Sequence, residues 1–150
     1  MSSIRNTILT NLKTALAAIE DDTNYPLNIH HVSLFDENVL KQTPEKTPMV
    51  MIIDTGREAL IVADSTHYRY NWEIMLRGLI EANTSDGLHE KINEMISTLK
   101  QFIDGDPSLG DNVLDFRFVG VEGNRYSADK KIADTFVRCE CTYWCIAGTF

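Results

Sequence analysis

The chain has 150 residues, 43% of them hydrophobic and 24% charged, with a formal net charge of −8. This length suits one domain with its own core, and the composition excludes disordered, collagen-like and low-complexity classes. The acidic balance, with Lys130-Lys131 as the one adjacent basic pair, excludes a surface built to grip nucleic-acid phosphates.

No run of about 18 apolar residues exists, so no membrane-spanning helix is expected. The amphipathic N-terminal segment lacks the continuous apolar core of a secretory signal, and Glu20-Asp21-Asp22 favours mature structure there. Three cysteines, an odd number, point to free thiols and a reducing compartment.

In chain order, Ile4, Ile8, Leu12, Ala15 and Ile19 recur at three- and four-residue steps and predict a helix ending near Asp22, with Ser2 or Ser3 as its cap. Asn24-Tyr25-Pro26 is turn chemistry. Residues 29–35 are short and β-prone. Residues 36–47 are polar and predict a surface loop, long for a compact domain. Residues 49–54, MVMIID, predict an apolar strand. Thr55-Gly56 predicts a turn into a partner strand at residues 60–62, and Asp64-Ser65 a further turn.

The clearest alternation follows. Tyr68, Tyr70, Trp72, Ile74 and Leu76 interleave with Arg69, Asn71, Glu73, Met75 and Arg77, a period of two that puts the aromatic and aliphatic set on one sheet face. After the break at residues 83–87, Leu88, Ile92, Met95, Ile96, Leu99, Phe102 and Ile103 form a helical stripe, stopped by Asp104-Gly105-Asp106-Pro107. Residues 113–121 predict a strand with Leu114, Phe116 and Phe118 on one face. Residues 122–131, EGNRYSADKK, read as a polar linker, and residues 132–146 as a closing strand. The expected order is α-β-β-β-β-α-β-β in one domain spanning residues 1–150. That grouping predicts an α+β fold, a largely antiparallel or mixed sheet packed by two helices.

Cys139, Cys141 and Cys145 are the obvious candidates for chemistry. On a strand they share one face with Val137 and Tyr143. Cys139 and Cys145 then stand roughly 20 Å apart, too far for one zinc ion, and Cys139 and Cys141 about 6.6 Å apart with parallel Cβ vectors. Core packing is the preferred reading. His30-His31 point to opposite strand faces and cannot chelate one ion together, and no H-E-x-x-H is present. The run from Gly120 to Arg125 lacks the features of a phosphate loop. Asp54, Asp64, Glu73, Asp115 and Glu140 lie on or beside strands, where cross-strand ion pairs with Arg69, Arg77 and Arg138 explain them better than acid–base catalysis. No catalytic, cofactor or metal residue is therefore expected. A mixed-charge outer face with Arg138, Glu140 and Trp144 fits either solvated surface or a subunit contact.

The amphipathic first helix, the Pro-led strand Thr47-Pro48-Met49-Val50-Met51-Ile52, the long alternating strand into the helix start Asp86-Gly87-Leu88, and the final two-strand hairpin resemble the tail terminator family of long-tailed bacteriophages (minor tail protein U-like, tail-to-head joining). The resemblance covers nearly the whole chain in layout. It implies a structural virion protein, assembled in the host bacterial cytoplasm as a homo-hexameric ring. Such a ring caps the tail tube protein and offers a surface to the head completion or connector protein, while DNA passes through its lumen without sequence-specific binding. It implies no enzyme activity, no cofactor and no membrane partner. The loop at residues 36–47 and the segment at residues 122–131 would reach a neighbouring subunit. The candidate interface residues are Glu122, Asn124, Arg125, Tyr126, Lys130, Lys131, Arg138 and Trp144. Another neck or tail ring protein (a head completion protein or a tube subunit) is the near rival. A small ligand-binding domain using Tyr68, Tyr70 and Trp72 as a platform is the rival from a different class.

Overall fold

The structure, a computed structural model, describes residues 4–34, 47–63, 66–107, 113–127 and 131–146. The expected caps Ser2 and Ser3, nearly all of the loop at residues 36–47, the Asp64-Ser65 turn and Lys130 lie outside these residues.

Two helices and a five-stranded mixed sheet make an α+β fold: α1 (Ile4–Ala17), β1 (His31–Leu34), β2 (Met49–Ala63), β3 (His67–Glu81), α2 (Ser85–Gly105), β4 (Asp115–Tyr126) and β5 (Ile132–Ile146). The spatial order is β1-β2-β3-β5-β4. Strand β1 runs parallel to β2, and every other pair is antiparallel. The last hairpin thus inserts β5 beside β3 and leaves β4 outermost.

Both helices cover the same sheet face. Ile8, Leu12 and Leu16 of α1 and Leu88, Ile92, Met95 and Leu99 of α2 join one core with Val50 and Ile52 of β2, Trp72, Ile74 and Leu76 of β3, Phe116 of β4, and Val137, Cys139 and Cys141 of β5. Each fully buried aliphatic side chain there contributes about 1.5–3 kcal/mol. Helix α1 stops at Ala17, short of the expected Asp22. The chain tightens into turns whose amides bond three residues back, Ile19 to Leu16 and Asp22 to Ile19, and Asp21 takes φ 62°. Aspartate tolerates this left-handed geometry better than most residues. Helix α2 is capped by Thr84, whose hydroxyl accepts from the Gly87 amide at 3.0 Å. It rides close over β3 at Gly78, where an added Cβ would stand 2.6 Å from Met95 Cγ.

Three further expectations need correction. Residues 49–54 and 60–62 belong to a single strand, β2, and Thr55-Gly56 does not reverse the chain. Gly56, at φ 76°, sits in a register shift between Asp54 and Glu58, so its backbone freedom is used for a bulge. Residues 122–126 continue β4 and are not linker. Register shifts after Phe118 and after Val121 break the alternation there, and the polar side chains of an outer strand conceal the pairing. Leu114 falls just before β4 and is 47% exposed, off the apolar face expected for it.

Candidate subunit-contact surface

The row Val137, Cys139, Cys141, Tyr143 and Cys145 is buried, as the alternation predicts, and all three cysteines are free. Burial pushes the Cys139 and Cys141 thiols up, Cys141 to about 12, with nearby Asp115 adding to the latter. Such groups stay protonated and unreactive. Among the described residues, no three His, Cys, Asp or Glu side chains converge on a metal-sized site. His30 instead faces Glu20 at 3.6 Å.

Of the aromatic set of β3, Trp72 lies in the core while Tyr68 and Tyr70 are half-buried. Trp72 is fully buried and donates its Nε1–H to Asp54 Oδ1 at 2.8 Å. Tyr70 stacks on Tyr143 with centroids 5.7 Å apart, and the Arg5 guanidinium of α1 lies 5.9 Å over the Trp72 ring. Arg5 also pairs with Glu58, which accepts the Tyr143 hydroxyl proton. Burial holds the Tyr143 phenol above its ordinary range, while Arg5 opposes the shift. This network ties α1 to β2 and β5.

The opposite face carries the charges. Glu73 and Glu140 are direct register partners, a repulsive placement by itself. Arg57 reaches Glu73 at 3.6 Å and Arg138 reaches it at 3.4 Å. Arg117 and Asn71 hold Glu140, and Arg138 also reaches Glu122 at 3.6 Å. Three arginines thus offset three carboxylates around a shallow hollow of about 500 Å³, walled by Arg57, Asn71, Glu73, Arg138 and Glu140. Further along the same face, Asp134 accepts from Arg77 and Arg125 together, and both guanidinium groups lie over the Phe136 ring, at 5.6 and 4.9 Å. Arg77 and Asp134 escaped notice as a pair in the sequence. The available signal was a charge set inside each apolar strand segment, Leu76-Arg77-Gly78-Leu79 and Ala133-Asp134-Thr135-Phe136.

The candidate interface residues do not form one patch. Glu122, Arg125 and Arg138 belong to the charged face. Asn124 and Tyr126 point to the helix side, where Asn124 accepts the Thr135 hydroxyl at 2.6 Å and the Tyr126 hydroxyl meets His89 Nδ1 at 3.1 Å. Lys131 is exposed at the start of β5, and its carbonyl accepts the Ala82 amide at 2.9 Å. Trp144, 51% exposed, meets the His67 ring at a tilt of 40° with centroids 4.5 Å apart, near the far end of β5. Ten residues separate it from the Asp134 rung, roughly 33 Å of strand. The surface is therefore a charged face with different features at its two ends.

The molecule these observations define is an α+β fold whose sheet is helix-covered on one side and carries the charged side chains, beside a small buried cluster around Met49 and Met51, on the other. No protein-family model matches the chain, and no curated protein matches it.

Proposed function

We propose that this protein is a ring-forming structural subunit of a long-tailed bacteriophage, a tail terminator that caps the tail tube and provides the head-joining surface. The observation that carries the reading is the one-sided sheet with two different outer strands. Strand β1 is four residues long and β4 twelve. Unlike edges cannot meet by a two-fold axis through one shared patch. Contacts that use both are head-to-tail, and these close into rings or grow as helices. The charged face supplies a broad polar surface, and the −8 subunit makes an acidic ring, through which DNA slides without adhering.

The mechanism is geometric. The ring covers the terminal surface of the tube protein and replaces it with one that fits the head completion protein. The test is to add the protein to growing tail tubes and image them by negative stain. Capped tubes of arrested length support the terminator reading. Rings that stack into tubes of their own favour a tube subunit, and a strict monomer that leaves tube growth unaffected refutes both.

A further inference from the structure

Strand β1 covers β2 only along residues 49–52. From Glu58 onward, no described strand lies outside β2. That stretch contains Ala59, Leu60, Ile61, Val62 and Ala63, five consecutive apolar residues. Leu60 is 54% and Ile61 51% exposed. Native edges are commonly blunted by lysine, proline or inward charges, and an apolar, unblunted edge templates pairing with another chain. A register shift between Leu60 and Val62 is the one blunting device inside this stretch, and no lysine or proline lies in it. Arg57 leans onto Glu73, and Glu58 is turned toward Arg5 and Tyr143.

The same molecule carries a second edge with no described strand outside it. Strand β4 is outermost on the other side. Its Phe116 amide donates to the Pro107 carbonyl at 2.6 Å, and beyond that point no described strand pairs with its outer side. Leu114 before it, with Val119 and Val121 on it, are 47%, 38% and 41% exposed. The two edges run in opposite directions, because β2 is antiparallel to β3, β3 to β5, and β5 to β4. Rotation of a copy about an axis along the strands preserves those directions. The β4 of one copy then arrives antiparallel to the β2 of the next.

We propose that the outer edge of β2 along residues 58–63 pairs antiparallel with the outer edge of β4 in a second copy of this chain. The occupant is another copy because the chain itself presents the complementary edge, with exposed aliphatic residues on both sides. Pairing consumes two stretches of edge that no described strand covers. The inference deepens the ring reading and rests on it, naming which strands make the contact.

Cysteine cross-linking tests it, since the three native thiols are buried and stay silent. Ile61→Cys is mixed in turn with Leu114→Cys, Val119→Cys or Val121→Cys and gently oxidised. Neighbouring strands bring Cα atoms to about 4.5–5.5 Å, within disulfide reach. At least one mixture should give a linked dimer, and the corresponding double variant a ladder up to the full ring. Leu60→Lys with Ile61→Lys should abolish assembly while leaving the monomer's circular dichroism unchanged. Linking of Ile61→Cys alone as efficiently as any mixture overturns the proposal in favour of β2–β2 pairing. Rings that form without linking in any mixture, or that survive the double lysine variant, overturn it while sparing the ring reading. A wild-type chain that never assembles removes both.

Discussion

Arg77 of β3 and Asp134 of β5 form a buried ion pair on the sheet face that has no helix, with Nη2 2.5 Å and Nε 2.8 Å from the same carboxylate oxygen. Their side chains are 9% and 6% exposed. Removing one member of such a pair strands the other charge, at a cost of about 3–5 kcal/mol. Asp134→Ala should lower the urea midpoint by that much free energy. Arg77→Met with Asp134→Leu should restore most of it. Arg125→Ala, on an arginine 64% exposed, should cost only about 0–1 kcal/mol. Equal losses for Arg77→Ala and Arg125→Ala would contradict this ranking.

Gly78 makes a different prediction. Alanine normally suits a strand at least as well as glycine, yet here its Cβ would meet Met95 Cγ at 2.6 Å and Sδ at 2.9 Å. Gly78→Ala should destabilise by about 1–3 kcal/mol through overpacking. Met95→Ala should cost about 2–5 kcal/mol through its cavity. The double variant should cost less than the sum, because the new methyl enters the vacated space. Additive losses in a double-mutant cycle would refute the contact.

The thiols predict an alkaline weakness. Cys141 is held from its ordinary 9.0 up to about 12 by burial, and Cys139 moves in the same direction. Below the lower value both states keep the proton, so the stabilisation is complete. Between them the unfolded chain releases a proton that the folded chain retains, and stability falls by up to about 1.4 kcal/mol per pH unit per thiol. Urea titrations across that window should show this slope, and Cys141→Ala should flatten it. In the native state near neutral pH a thiol reagent should react with none of the three cysteines, and after unfolding with all of them. Rapid native labelling would contradict the buried row.

The alternation in β3 and β5 was legible because these are central strands with one core face, where a period of two is enforced along their length. It correctly turned Cys139, Cys141 and Cys145 into core residues. What escaped the sequence lay at edge strands and in cross-strand register. Gly56 adopts a positive φ that serves a bulge as readily as a turn, and local composition does not distinguish the two. Residues 122–126 pair on one side only, so nothing forces an apolar pattern on them. The Arg77–Asp134–Arg125 cluster joins residues up to 57 positions apart and is set by register, which no local pattern encodes. Six of the candidate contact residues were expected on one polar linker at residues 122–131, and Arg138 and Trp144 on the outer face of the last strand. The hairpin alternates them between two faces, and Trp144 stands near the far end of β5.

The central claim is assembly into a closed ring, and native mass spectrometry of the purified protein, alone and with tail tubes, measures it most directly. A dominant species at six times the 17.0 kDa subunit mass, seen as an annulus by negative stain, is the predicted result. A monomer or a two-fold dimer at every concentration, with tube ends left uncapped, would contradict it.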